Sequence, residues 1–314
     1  MSFILYSAGT TSKESTELKR QIGYPQLLSQ YTEKRNIVNW VEYLKEHPEC
    51  TCKLFVDSGA FTAHTKGIEV DVDSYIEFIN SIDDYVHIFA QVDKIAGIRG
   101  QEVTLEQQLE APKLSWENYL YMVKRVKSRD KLLPVFHQGE DFKWLTNMLE
   151  YTHEDGEHIK YIGISPNKSL SSKTWKTWLE KVFKYIKESS NPDVCTHAFG
   201  IGTLNVLEQF PFTSADSTTW LKLSSFGSVM INGKTVCVSN RKKYDPRFIL
   251  NQSPAVIEDI KKICAKVGIT LDDILDEDDT TARINRECFN LMSLKQWADA
   301  YQYKGNDTFK TELF

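Results

Sequence analysis

The sequence predicts a (β/α)8, TIM-like barrel with a C-terminal helical addition. Two observations predict it: short apolar runs alternate with longer amphipathic stretches, and small or polar residues follow each run. Buried parallel strands have this pattern because other parts of the protein cover both of their faces. The chain of 314 residues is long enough for one such barrel. We therefore expect a barrel domain at residues 1–250 and a helical extension packed on it at residues 251–314.

The predicted strands are the short apolar runs themselves. One more strand is expected directly before Asp216, because apolar and small residues precede that carboxylate. The predicted strands are Phe3–Tyr6, Lys53–Val56, Val86–Val92, Leu132–Phe136, Tyr161–Ile164, Cys195–Phe199 and the run Phe212–Asp216.

Helices are predicted where apolar residues recur at spacings of three and four. Ser115 and the pair Ser171-Ser172 each precede such a stripe and are expected to cap a helix at its N-terminus. Helical patterns also cover Val256–Val267 and about Thr281–Tyr303, with an acidic, solvated loop at Leu271–Asp279 between them. These C-terminal helices either complete the outer ring of the barrel or form a small cap.

Composition excludes several classes of protein. No apolar run is long enough to cross a membrane, and the N-terminus lacks the features of a signal peptide. The six cysteines are dispersed, so we expect reduced thiols and no bound metal. Cys50 and Cys52 form a fragment of a zinc pattern in the wrong place, and we interpret them instead as two small, half-buried residues before a strand. A net charge of −5 argues against a general nucleic-acid binder and leaves room only for a local basic patch.

Polar residues and glycines collect after the predicted strands. In a parallel barrel these positions share the face that carries the active site. Any single aspartate here could be no more than a helix cap, whereas several carboxylates on one face predict a site. Two carboxylates suit displacement at an anomeric carbon, and Asp and Gln side chains can bind the edge of a purine. The segments are Asp57-Ser58-Gly59-Ala60-Phe61, Gln91-Val92-Asp93, His137-Gln138-Gly139, Gly163, His197–Gly202 and Ser214–Thr218.

Two of these segments resemble motifs of the tRNA-guanine transglycosylases. Asp57-Ser58-Gly59-Ala60-Phe61 resembles the Asp/His-Ser-Gly-Gly-Phe-Gln segment of that family. His197–Thr203 is similar to the family's His-Tyr-Leu-Met-Gly-Val-Gly-Thr segment. Asp216 falls where the family carries its nucleophilic aspartate. The similarity is low in identity but runs in order from about Ser2 to Val238.

The resemblance implies a role for each matching residue. Asp216 would be the nucleophile, kept ionised by a hydrogen bond from Ser217 or Thr218, and Asp57 the general base. The free base, a 7-deazaguanine, would be the second substrate, and no cofactor is implied. The residues expected to bind the base are Asp93, Gln138, Gly163, Ser58, Gly59, Phe61 and Gly200.

The chain departs from the family in lacking its C-terminal zinc subdomain. His197 is the last histidine, so the Cys and His ligands of that zinc have no counterpart near the C-terminus. The segment after the nucleophile, Ser217-Thr218-Thr219-Trp220, also lacks the usual cysteine. These departures look most like the short phage and genome-island relatives that insert 7-deazaguanines into DNA. The resemblance therefore implies a DNA substrate and the cytoplasm of a bacterium or phage-infected cell.

Basic residues provide two candidate contacts to nucleic acid. Arg241, Lys242, Lys243 and Arg247 follow the last barrel strand and are expected to meet phosphates. The cluster from Lys124 to Lys131 suits a solvated helix face. Three alternatives stay open: exchange on tRNA, hydrolysis that releases the base to water, and a barrel that binds nucleic acid or a base without catalysis. The oligomeric state stays open as well.

Overall fold

The protein is a parallel barrel with helices around it. The computed structural model describes residues 3–97, 101–275 and 280–305. Within these ranges, eight parallel strands form the barrel wall, and β1 pairs with both β2 and β8. The predicted (β/α)8 class is confirmed. The strands are β1 Ile4–Ala8, β2 Gln26–Ser29, β3 Leu54–Asp57, β4 Val86–Ala90, β5 (two segments, Leu132–Leu133 and Val135–His137), β6 Tyr161–Ser165, β7 Cys195–Ala198 and β8 Ser214–Ser217.

Pro134 marks the place where the barrel closes. Proline has no N–H group, so it divides β5 into two segments. Leu132 and Leu133 pair with β4, and the segment from Val135 pairs with β6. The Pro134 carbonyl still accepts a hydrogen bond from the Gly163 N–H, at 2.7 Å. Both edges of the sheet therefore belong to one strand, and the cylinder is complete.

Helices follow the strands and run along the outside of the barrel. They bury the outward apolar faces of the strands, while a separate aromatic and aliphatic cluster fills the interior. The described helices are α1 Lys13–Gln21, α2 Gln30–Glu46, α3 Ala60–Thr65, α4 Val72–Ile82, α5 Leu105–Met122, α6 Phe142–Glu150, α7 Ser172–Lys187, α8 Leu204–Leu207, α9 Thr219–Ser225, α10 Pro254–Lys266, α11 Asp272–Leu275 and α12 Thr280–Asp299.

The start of α5 differs from the prediction, whereas the start of α7 agrees with it. Ser171 caps α7, as predicted, by accepting a hydrogen bond from the Thr174 N–H. The prediction that Ser115 caps a helix is wrong, because the cap of α5 is Thr104, eleven residues earlier. Thr104 and Gln107 bond to each other's backbone N–H groups in a capping box. Ser115 lies in mid-helix, and its hydroxyl instead accepts a hydrogen bond from the Lys94 N–H.

The C-terminal part of the chain completes the outer ring of the barrel. Helix α12 packs against α1, α9 and β1, so it covers the wall between the first and last strands. A hairpin precedes it, formed by β9 Ser228–Ile231 and β10 Lys234–Cys237. The hairpin, α10 and α12 enclose a second apolar core.

Two further observations concern the helices. The acidic segment Leu271–Asp279 was expected to be a loop, but Asp272–Leu275 forms the short helix α11. Residues 276–279 lie outside the described ranges. Among the residues that the structure describes, no helix combines the length and the apolar character needed to cross a membrane.

Candidate active site

Three aspartates lie at the C-terminal mouth of the barrel. Asp57 ends β3, Asp93 follows β4, and Asp216 lies in β8. Because the strands are parallel, their C-terminal ends share one face and bring these carboxylates together. The negative charges of Asp93 and Asp216 both raise the pKa of Asp57, as expected for neighbours in one site.

Asp216 is held through one of its two carboxylate oxygens. The Gly200 N–H donates to Oδ1 at 2.7 Å, and the Nε2 of His197 lies 3.4 Å from the same oxygen. The Asp216 side chain is 13% exposed, so it is nearly buried but open to the mouth. The expected hydrogen bond from Ser217 or Thr218 to Asp216 is not formed among the described residues. The Gly200 N–H donates to Asp216 instead, and the Ser217 hydroxyl donates to Thr219 Oγ1 at 2.7 Å.

Asp57 has the properties of a group that exchanges a proton near neutral pH. Burial raises its pKa to about 7, the charges of Asp93 and Asp216 add to this effect, and the Gly59 N–H and Lys168 oppose it. The Gly59 N–H donates to Asp57 Oδ2 at 3.1 Å. A carboxyl group with a pKa close to the working pH is suited to general acid–base catalysis.

Asp93 forms an ion pair with His137. Asp93 Oδ2 lies 3.2 Å from His137 Nε2, and Asp93 Oδ1 accepts a hydrogen bond from the Gln91 side chain at 2.6 Å. Burial lowers the pKa of His137, but the charge and hydrogen bond of Asp93 outweigh burial and raise that pKa to about 9. His137 is therefore an imidazolium at neutral pH, and Asp93 is fixed on two sides.

A cleft of about 440 Å³ opens beside the mouth, next to Asp93. This volume is within the range of small-molecule sites. Its lining does not include Asp57 or Asp216, so Asp93 is the carboxylate that the cleft and the mouth share. Polar groups that face the cleft include His64, Lys94, Glu110 and Asn118.

The glycines predicted to bind the base have structural roles at or below the mouth. Gly59 has a φ of +77° and is the N-cap residue before α3, where a Cβ would approach Ser29 and Tyr31. A Cβ on Gly163 would lie 2.5 Å from the ring of Phe199, so Gly163 makes room for that ring in the barrel. Gly200 has a φ of +65°, and Lys168 crosses over it at the rim.

Other predicted base-binding residues differ in how accessible they are. Gln138 uses its side-chain oxygen to accept a hydrogen bond from the Asn167 N–H at 3.0 Å, which holds the loop after β6. Ser58 is buried, whereas Phe61 is 64% exposed. A rim aromatic such as Phe61 is free to stack on a bound molecule.

The predicted phosphate ligands lie in a loop that belongs to the second core rather than to the strand ends. Lys242 donates a hydrogen bond to the Ser228 hydroxyl at 3.2 Å. The Arg247 guanidinium donates to both carboxylate oxygens of Asp245, at 2.9 and 2.7 Å. Lys243 and the neighbouring Tyr244 are exposed. Arg247 is therefore already neutralised, whereas Lys243 is available to an anion.

Two histidines of the site, His137 and His197, lie at or near strand ends, so their residue types could have indicated them, whereas Lys168 lies in the loop after β6. His137 ends β5 and directly precedes Gln138, and of these two neighbours it is His137 that contacts Asp93. His197 lies inside β7, where a histidine in an apolar strand is a signal for a buried polar contact. Nothing local to Lys168 indicates that its charge reaches Asp57 and His137.

Within the described ranges, no three His, Cys, Asp or Glu side chains are placed to hold a metal ion. The absence of zinc stays a prediction.

Comparison with known proteins places the chain in no group. No family model matches the sequence, and a search of curated proteins found no match.

Proposed function

We propose that the protein is a base-exchange glycosyltransferase that replaces guanine in DNA with a 7-deazaguanine such as 7-cyano-7-deazaguanine. The observation that carries the proposal is the pair of carboxylates at the mouth. Asp216 is fixed by the Gly200 N–H with one oxygen bonded, and Asp57 has a pKa near 7 beside it. One carboxylate is thus suited to attack and the other to transfer protons.

The first step would form a covalent glycosyl-aspartate. An oxygen of Asp216 attacks C1′ of a guanosine nucleotide, and the bond from C1′ to N9 breaks. The electron pair of that bond goes to guanine, which takes a proton from protonated Asp57. A substantial fraction of Asp57 carries this proton at neutral pH because its pKa is about 7. For duplex DNA the guanine must first be flipped out, at a cost of a few kcal/mol.

The second step would reverse the roles. The incoming 7-deazaguanine loses its N9 proton to Asp57, which is now ionised, and attacks C1′ from the opposite side. The bond from C1′ to Asp216 breaks, and Asp216 regains its negative charge. Both carboxyl groups return to their starting state, so no cofactor is required.

Asp93 is suited to bind the base. A carboxylate accepts hydrogen bonds from the N–H groups on the edge of guanine or of a 7-deazaguanine. The ion pair with His137 and the bond from Gln91 hold Asp93 in place before the base arrives. The adjacent cleft of about 440 Å³ supports this assignment, because it has room for a purine-sized molecule.

One assay distinguishes the polymers and the reaction types. Guanine-labelled DNA and guanine-labelled tRNA are each incubated with the protein and 7-cyano-7-deazaguanine. Loss of label from DNA that depends on the added base supports the proposal. Loss from tRNA alone identifies a tRNA transglycosylase, and loss without added base identifies a hydrolase. Retention of label in both polymers would instead favour a barrel that binds without catalysis.

A further inference from the structure

A chain of buried polar groups lies beneath Asp216 in the barrel interior. His197 is fully buried, with its Nδ1 2.6 Å from the Ser214 hydroxyl. Ser214 lies 2.5 Å from the hydroxyl of Tyr161 on the other side. At the opposite edge of the ring, His197 Nε2 faces Asp216 Oδ1 at 3.4 Å. The order from the interior to the mouth is therefore Tyr161, Ser214, His197 and Asp216.

The positions of the hydrogens follow from the partners. If Nε2 carried no hydrogen, its lone pair would face a carboxylate oxygen at a buried site, which is unfavourable. Nε2 is therefore protonated. In a neutral ring Nδ1 then accepts, so the Ser214 hydroxyl must donate to it, and Ser214 in turn accepts from Tyr161. The hydrogens of the Tyr161 hydroxyl, the Ser214 hydroxyl and His197 Nε2 are then each directed at one acceptor.

The surroundings of the ring favour the neutral form and fix its orientation. Burial lowers the pKa of His197, although the neighbouring Asp216 opposes this effect. Phe55 and Phe199 contact the ring edge-to-face, with centroids 4.7 and 4.5 Å away. His197 therefore cannot turn away from Asp216 without displacing packed aromatic rings.

Among the four polar groups from Tyr161 to Asp216, His197 Nε2 is the atom whose hydrogen bond is incomplete. Within the described residues it makes no hydrogen bond of ordinary geometry, although it is buried and directed at Asp216. Catalytic hydrogen bonds are often long in the free enzyme and shorten when substrate binds. A short movement of the Asp216 carboxylate toward the ring would complete this bond.

We propose that His197 is a positioning residue that donates a hydrogen bond from Nε2 to Asp216 Oδ1, leaving Oδ2 as the attacking oxygen. The inference rests on the proposed function, in which Asp216 attacks C1′. Two donors, the Gly200 N–H and His197 Nε2–H, then converge on Oδ1. Tyr161 and Ser214 act through His197 by fixing which ring nitrogen carries the hydrogen.

The tautomer can be measured without any assay of activity. Two-bond ¹H–¹⁵N spectra of the full chain, labelled with ¹⁵N in histidine, show which nitrogen of each ring is protonated. The cross-peaks that disappear in His197→Gln belong to the His197 ring. If His197→Gln does not fold, the cross-peaks whose chemical shifts change selectively in Ser214→Ala identify this ring. We expect a neutral ring protonated on Nε2 at pH 7. Protonation on Nδ1, or on both nitrogens, would overturn the inference.

The effect on the reaction is measured as the rate of covalent adduct formation with guanine-containing DNA. His197→Phe should slow it about tenfold to a hundredfold, the value of one hydrogen bond to a charged group. His197→Gln should slow adduct formation less, because the glutamine amide can still donate a hydrogen bond to Asp216. Ser214→Ala should also slow the step without changing DNA affinity.

Thr196→Val is the matched control for Ser214→Ala. Thr196 precedes His197, is 2% exposed, and its hydroxyl makes no hydrogen bond to the described residues. Its variant should form adduct at the wild-type rate, and equal loss in both variants would overturn the positioning role. If the wild type forms no adduct at all, the proposed function fails, while the tautomer still decides whether Nε2 carries the hydrogen that a bond to Asp216 requires.

Discussion

Asp216 and Asp57 act at different points of the proposed reaction, so their variants should fail at different points. Asp216→Asn removes the attacking oxygen and should abolish both exchange and the covalent adduct. Asp57→Asn should slow the first step, because guanine leaves without a proton, but should still allow some adduct to accumulate. Each variant is incubated with guanine-containing DNA and examined on a denaturing gel. A shifted band from Asp216→Asn would refute the nucleophile.

The raised pKa of Asp57 predicts a pH-dependent cost to stability. The unfolded chain ionises this carboxyl near pH 4, whereas the folded protein ionises it near pH 7. Between these values the native state holds more protons than the unfolded state, so stability falls as pH rises. The cost is about 4 kcal/mol at full burial, and we expect about 1–3 kcal/mol because Asp57 is partly exposed.

Asp57→Asn removes this cost, and urea unfolding at two pH values measures it. The variant should be more stable than the wild type at pH 8, and the difference should shrink toward pH 4. Glu154→Gln, which changes an exposed carboxylate, serves as the control and should follow the wild type throughout. A constant difference between Asp57→Asn and wild type across pH would show that Asp57 ionises normally in the fold.

Substitutions at Asp93 and Gln138 are predicted to lower the affinity for the free base more than the affinity for DNA. Asp93→Asn loses the charge that pairs with His137 and a partner for the base. Gln138→Ala removes the acceptor that holds the Asn167 N–H. An unpaired buried partner costs about 1–3 kcal/mol, which calorimetry with 7-cyano-7-deazaguanine can resolve. Unchanged affinity for the base, or an equal loss of affinity for DNA, would remove these residues from the base site.

At the scale of elements, the strands with apolar runs could be predicted, and β2 could not. Gln26 and Ser29 make up half of this four-residue strand, so it lacks an apolar run. Gln26 is nevertheless buried, because its amide donates to the Ser7 carbonyl at 2.6 Å and its oxygen accepts from Lys19 at 2.8 Å. Those partners come from β1 and α1, and no local pattern reveals them. Tertiary hydrogen bonding therefore overrode strand composition.

The hairpin β9–β10 has a local sequence signal, although no hairpin is among the predicted elements. Asn232-Gly233 joins the two strands, and both residues have positive φ, at +50° and +74°. Asn-Gly is the preferred pair for a two-residue hairpin turn.

In the candidate site, strand ends could likewise indicate Asp57, Asp93 and Asp216. The contacts of His197 could not be predicted, because they depend on register between strands far apart in sequence.

Asn290 joins α12 to the hairpin and to α9 by hydrogen bonds. A variant at this position therefore tests whether α12 contributes to the stability of the fold. Asn290 is fully buried; its oxygen accepts from the Met230 N–H at 2.8 Å, and its amide donates to Ser224 Oγ at 3.0 Å. Asn290→Ala should reduce the free energy of unfolding by about 2–4 kcal/mol, since it leaves buried groups unpaired. Asn147→Ala, on the exposed side of α6, is the control. Similar unfolding curves for the two variants would contradict the role assigned to Asn290.

The whole molecule carries a net charge of −5, so binding to DNA must depend on where its cations lie. The mouth itself is acidic, with Asp57, Asp93 and Asp216 close together. Phosphates on either side of the reacting nucleotide therefore require cations beyond these carboxylates. Arg247 is paired with Asp245, and the consecutive residues Arg241, Lys242 and Lys243 form the part of the predicted cluster that is replaced as a group.

Replacing Arg241, Lys242 and Lys243 by Gln should weaken DNA binding and reduce its dependence on salt. Each lost phosphate contact lowers the slope of log K against log salt by about 0.9 on duplex DNA, because fewer counterions are released. The matched control replaces Lys124, Arg125 and Lys127, which are exposed at the end of α5 and change the net charge equally. Affinities are measured over a salt series with one duplex. An unchanged slope in the first variant together with a reduced slope in the control would place the DNA-binding surface at α5 instead.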